Sequence, residues 1–111
     1  MLTYEVYLTP GIYTDWSRKI VVGGTSQIAI PANGCRRRMI IQNPATATSQ
    51  GIGTAENLFI NFTGGASSTT GGSIELLPGG SYDSDSGPCS VEQINIVAAT
   101  TNHQYLAKEM T

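Results

Sequence analysis

Residues 36–43 read Arg36-Arg37-Arg38-Met39-Ile40-Ile41-Gln42-Asn43, and residues 58–62 read Leu58-Phe59-Ile60-Asn61-Phe62. In an extended chain Met39 and Ile41 point to one side and Arg38, Ile40 and Gln42 to the other, while Leu58, Ile60 and Phe62 share a face. Both stretches read as strands. The core is expected to form around Met39, Ile41, Leu58, Ile60 and Phe62, with the two strands able to pair with each other. Pro44 ends the first strand, because its ring removes a ladder donor and pushes Asn43 towards extended geometry.

Shorter runs of the same kind flank this pair. Tyr4-Glu5-Val6-Tyr7-Leu8, closed by Pro10-Gly11, reads as an edge strand or as an arm (residues 1–9) laid on a neighbouring subunit. Ile20-Val21-Val22 and Ser26-Gln27-Ile28-Ala29-Ile30 are two strands joined by the glycine turn Gly23-Gly24. Asn33-Gly34 marks a turn with positive φ angles that delivers the chain into residues 36–43. Ser73-Ile74-Glu75-Leu76-Leu77 and Ser81-Tyr82-Asp83-Ser84-Asp85 flank the tight turn Pro78-Gly79-Gly80 and read as a hairpin. Gln93-Ile94-Asn95-Ile96-Val97-Ala98 and Gln104-Tyr105-Leu106-Ala107-Lys108-Glu109 supply the last two strands. No window longer than a turn keeps the helical period.

Eight or nine short strands with connections too short for crossovers predict an all-β fold, an antiparallel two-sheet sandwich or a small barrel, with a jelly-roll-like sandwich as the first choice. The 111 residues make one domain, able to remove roughly 65% of its unfolded surface from water. Residues 45–57 and 64–72 are loops of small and polar residues. The first is long for a compact domain and is expected to be a mobile or binding segment.

Charged residues are 13% of the chain, against ~25% in a typical domain. Such a surface meets other protein or is simply rich in Ser and Thr. The net charge of −2 excludes the basic excess on which nucleic-acid binding rests. Nothing in the charge suggests a membrane surface, no apolar run approaches the ~20 residues of a spanning helix, and the first residues lack a basic n-region. A cytoplasmic protein is therefore expected. Cys35 and Cys89 have no second thiol or His at metal-ligand spacing. They are two reduced thiols, or a bridge if their Cα atoms lie within about 7 Å.

Chemistry-bearing groups are few. His103 is the single histidine, in a loop with no nucleophile placed beside it, so no catalytic set is expected. Asp83-Ser84-Asp85 has the start of a calcium loop without its later ligands and reads better as a polar hairpin. The paired glycines are turn devices with no Lys-Ser/Thr to make a phosphate cradle. Asn61-Phe62-Thr63 is a glycosylation sequon inside a strand, where chance explains it better. Trp16 is a buried indole or a ligand platform. Arg36, Arg37 and Arg38 either dock onto an acidic partner through bidentate carboxylate pairs or form a solvated strand entrance that blunts edge pairing.

The runs "RRRMIIQNPA", "NLFINF", "GGSIELLPGGSY" and "INIVAATTNHQYLAKE" resemble a small β-module of tailed-bacteriophage virion proteins. The resemblance covers residues 38–109 and is carried by turn and core residues. It implies a capsid decoration, cement or staple protein on the virion surface, assembled in the host cytoplasm. The implied partners are the major capsid protein and further copies of the chain, a dimer before a trimer, without cofactor. On that reading partner contacts are expected at Tyr4, Tyr7, Arg36, Arg37, Arg38, Thr46, Thr48 and Gln50. The same module occurs in fibres and tails, where a receptor- or carbohydrate-binding role would be expected instead.

Overall fold

The computed structural model describes residues 11–84 and 89–111. The expectations for Tyr4, Tyr7, the 1–9 arm and Asp85 lie outside the described residues. The described strands are β1 (Tyr13–Asp15), β2 (Arg18–Lys19), β3 (Gln27–Ile30), β4 (Arg38–Gln42), β5 (Leu58–Asn61), β6 (Ile74–Leu76), β7 (Ser81–Asp83), β8 (Ile94–Val97) and β9 (Gln104–Met110), with one helical turn, α1 (Ala47–Gln50), between β4 and β5. One sheet has the order β1-β9-β4-β7, with β2 also on β9; the other has the order β3-β8-β5-β6. Every pairing is antiparallel. The expected all-β two-sheet sandwich is the fold.

Its pairing is nested. β1 and β2 pair with β9, β3 with β8, β4 with β7, and β5 with β6, as if one long hairpin had been wrapped around a core. That is the jelly-roll order. It corrects three pairings expected from the sequence. β4 and β5 do not pair; they lie in opposite sheets and share one core. Pro78-Gly79-Gly80 does not close a hairpin, since β6 pairs with β5 and β7 with β4. Gly23-Gly24 likewise leads from β2 in one sheet to β3 in the other. Alternation specifies which face of a strand is buried, not which strand lies beside it. A short glycine-containing connection can arch between sheets about 10 Å apart as well as close a hairpin.

The face assignments hold. Met39, Ile41, Leu58 and Ile60 are fully buried, joined by Ile20, Ile30, Ile94 and Ile96. Each such side chain contributes about 1.5–3 kcal/mol by leaving water. Phe62 is half-buried against this core and meets Tyr82 edge-on, ring centroids 4.9 Å apart. That pair joins the end of β5 to β7, one strand from each sheet.

Gln27 does the equivalent work on the opposite flank. Standing on β3, it donates from Nε2 to the Lys19 carbonyl (3.1 Å) and towards the Tyr105 hydroxyl (3.3 Å), while its Oε1 accepts from Val21 N–H (2.8 Å). One amide thus occupies two backbone groups along the outer edge of β2. Asp15 Oδ1 takes a third, the Ser17 N–H at 2.9 Å. An edge capped in this way is a poor template for a further strand. Gln27→Ala is expected to destabilise the protein by about 1–3 kcal/mol and to produce larger assemblies than the parent in sedimentation velocity. Unchanged melting and sedimentation would show that Gln27 does not hold this edge.

Candidate functional site

The two ends of the 36–43 stretch each enter a buried polar cluster. At the far end, Asn43 follows the last residue of β4 and keeps the inward parity of Met39 and Ile41. Its Nδ2 donates to the carbonyls of Glu56 and Leu76, both at 2.9 Å. Carbonyls can only accept, so the amide orientation is set and Oδ1 must face donors. Those are Gln50 Nε2 at 3.1 Å and His103 Nε2 at 2.8 Å. The other ring nitrogen of His103, Nδ1, lies 3.0 Å from Glu56 Oε1. Both ring nitrogens therefore face side-chain oxygens. His103 lies in the loop before β9, as expected, and its side chain is fully buried.

Glu56 is the hub of this cluster. Its carboxylate accepts from the Thr100 N–H (2.9 Å) and hydroxyl (2.7 Å), its N–H donates to Gln50 Oε1, and its carbonyl accepts from Asn43 and Gln50. Burial pushes the Glu56 carboxyl up, but the hydrogen bonds from His103 and from the Thr100 hydroxyl and N–H outweigh it and hold the carboxyl below its usual range.

This cluster accounts for the 43–57 connection. Residues 45–57 were expected to be a long mobile or binding loop; they carry α1, capped at both ends. Thr46 Oγ1 accepts from the Ser49 N–H at 3.1 Å, and Ser49 Oγ accepts from the Thr46 N–H at 3.0 Å. Gly51 closes the turn in the left-handed region at φ 76°. Gln50, expected to face a partner, is instead fully buried, where Nε2 donates to Asn43, Pro44 and Glu56. Thr46 and Thr48 remain exposed, although the Thr46 side chain is engaged in capping.

At the near end, Arg36 sits in the turn opened by Asn33, whose carbonyl accepts the Arg36 N–H, and not in the strand itself. Alternation with Arg38 therefore does not apply to it. Its side chain is buried beside Glu109, with Nε 3.0 Å from Oε1. The remaining nitrogens donate to the carbonyls of Pro31, Ser90 and Glu92 at 2.7–2.9 Å. Glu109 also accepts from Trp16 Nε1 (2.7 Å) and Asn33 Nδ2 (3.2 Å). Arg36 is thus a structural residue, and its expected partner contact is corrected. Arg38 pairs with Asp83 through two hydrogen bonds of 3.1 and 2.8 Å across the outer face. Arg37 is exposed and donates to the Thr111 carbonyl at 3.3 Å. Three adjacent arginines therefore have three different environments.

Arg18 and Lys19 are exposed on β2, and among the described residues no carboxylate forms a salt bridge with either. They line an open groove of about 540 Å³ with Ser17, Val21, Gln104 and Tyr105. The Arg18 guanidinium lies over the ring of half-buried Trp16, 5.8 Å from its centroid, so neither reading of Trp16 holds unchanged. Burial pushes the Tyr105 phenol up, against the Gln27 hydrogen bond and the Arg18 charge. Asn61, the sequon residue, is buried and bonded to Gly65 and Thr63. Cys35 and Cys89 are both free thiols. Among the described residues no cluster of three acidic, His or Cys side chains could hold a metal ion, and no helix is long and apolar enough to cross a membrane.

Compared with known proteins, the chain matches no family model, no curated protein and no solved structure.

Two outcomes follow from these clusters. Arg36→Ala leaves Glu109 buried without its cation and should cost about 3–5 kcal/mol in denaturant unfolding, whereas Arg37→Ala should stay within about 0.5 kcal/mol. The Glu56 carboxyl, depressed in the folded state, contributes stability that is fully present above its unfolded value, near 4.5, and that is lost as pH falls through the lower folded value. Urea midpoints measured from pH 6 to pH 3 should fall less steeply for Glu56→Gln than for the parent.

Proposed function

We propose that this is a structural virion protein that binds the outer surface of a bacteriophage capsid and stabilises contacts between neighbouring capsid subunits. The observation that carries the reading is the bracing of the 43–57 loop. A connection rich in small polar residues is drawn onto the sandwich end by Gln50, Glu56, Asn43 and His103, so it presents a preformed surface. Preformed surfaces lose less entropy on docking. The resemblance of residues 38–109 to phage virion modules points the same way. Jelly rolls occur in capsid and lectin domains alike, so the fold by itself leaves the function open.

The mechanism is mechanical. A capsid under internal pressure fails where subunits part, and a protein that binds only when both are in place raises the free energy of parting by its own binding energy. Many copies related by symmetry add these terms, and a dimer engages two sites at once. The partner is the major capsid protein. Thr46, Thr48, Arg37 and Arg38 keep their place as contact candidates; Gln50 braces the Thr46–Thr48 turn from within.

Particles lacking the protein should release their genome at lower temperature and at lower ionic strength than complete particles, and adding back purified protein should restore resistance. Equal resistance of the two particles would remove the proposal. In a stained gel of virions the protein should approach a simple ratio to the major capsid protein. A few copies per particle would instead favour a receptor- or carbohydrate-binding module on a fibre or tail.

A further inference from the structure

We infer that the groove beside β2 is the face that receives an acidic protein segment, with Arg18 and Lys19 as its charge-reading residues and Gln104 as its floor. This inference rests on the partner-binding reading above. Its first support is the distribution of positive charge. Arg36 is paired with Glu109 and Arg38 with Asp83, Asp15 feels the charge of Lys108, and Arg37 keeps its charge on the open surface with one hydrogen bond to the Thr111 carbonyl. Arg18 and Lys19 are the two cations adjacent in sequence that line one groove. Two such cations in a concave site attract carboxylates more strongly than the same charges spread over a convex surface.

The second support is that the groove is held in shape. Arg18 is steadied over Trp16, and Trp16 is tied in turn to buried Glu109 at 2.7 Å. A guanidinium held in this way loses little further freedom on forming a bidentate carboxylate pair. Gln104 lies against Gly51, where an added Cβ would stand 2.8 Å from Nε2. The groove floor therefore adjoins the C-terminal end of α1, and one partner surface can engage β2 and the 43–57 loop together.

The third support concerns which class of partner fits. Stacking of a sugar needs an open aromatic face. Tyr105 is only 3% exposed and the Trp16 ring is half-buried beneath Arg18. Val21, by contrast, is 71% exposed at the groove wall and offers an apolar contact of the kind a peptide side chain fills. Strand addition is not the mode either, because Gln27 and Asp15 already occupy the Lys19 carbonyl of β2 and the flanking N–H groups of Ser17 and Val21. Recognition is through side chains: carboxylates on Arg18 and Lys19, an apolar residue on Val21.

The test titrates isotope-labelled full-length protein with a synthetic peptide of alternating Glu and Leu and, separately, with oligogalacturonate, following amide resonances. The peptide is expected to move the signals of residues 17–21, 104 and 105, and the shifts should shrink at high salt. Arg18→Ala combined with Lys19→Ala should weaken peptide binding by about fivefold to tenfold, with Glu75→Ala, exposed on β6 in the other sheet, leaving it unchanged. Each altered protein is first checked for an unchanged melting temperature, and Arg18→Lys, which keeps the charge but loses the planar fork held over Trp16, should retain only part of the affinity. The inference is overturned if the peptide does not bind, if its shifts centre on Arg37, or if oligogalacturonate binds this groove and the peptide does not. It is separable from the cementing role: a double variant that still restores particle resistance would sink the groove and leave the cement.

Discussion

Everything in this sandwich depends on the position of β4, and that position is set by buried polar groups at its two ends. Arg36 reaches Glu109 and three loop carbonyls at one end; Asn43 reaches His103, Gln50, Glu56 and Leu76 at the other. Apolar burial alone tolerates repacking, whereas a buried guanidinium or amide tolerates only the geometry that satisfies it. A one-residue slip of β4 along β9 would turn Met39 and Ile41 outward and withdraw Arg36 from Glu109 in the same step. The loops are consequently part of the fold: residues 31–37 and 89–93 close over Arg36, and residues 43–57 and 98–103 close over Asn43.

Period-two alternation made the strands and their faces legible. Met39, Ile41, Leu58 and Ile60 are where the pattern put them, with Phe62 half-buried beside them, because burial of one strand face is a local property of the sequence. Strand neighbours were not legible, since a nested topology pairs segments that are far apart in the chain and no local signal records it. Connection chemistry was also ambiguous, as Pro78-Gly79-Gly80 shows by arching between sheets.

The polar clusters were partly readable after the fact. In Gln104 to Glu109 the alternation places Glu109 on the same face as Tyr105 and Ala107, and an acid at an inward position needs a buried cation. Arg36 is the nearest residue by type, but its turn at Asn33 breaks the parity rule. Glu56 gave less warning. It stands in a run of small residues, and only the position of His103 beyond β8 explains it. The groove was missed because Arg18 and Lys19 form a strand of only two residues with no apolar partner to announce it. The run of three arginines drew attention to charge of which two members, Arg36 and Arg38, are paired with carboxylates of the chain itself.

The nested pairing also bears on how the chain acquires its structure. The neighbouring sequence segments that close into a pair are β5 and β6, which makes that hairpin the least costly in loop entropy. Each further pair encloses the one before, so the outermost, β1 and β2 with β9, spans almost the whole described chain. β9 comes last in chain order among the described strands and yet lies inside its sheet, between β1 and β4. Until it is in place Arg36 has no Glu109 and the inner face of β4 has no lateral neighbour on that side. Such order belongs to slow-folding, non-local topologies, in which early chains expose apolar strands while waiting for the final one. The strand that completes the fold is also the strand that forms the floor of the groove, so the acidic-partner surface comes into being only when folding is finished.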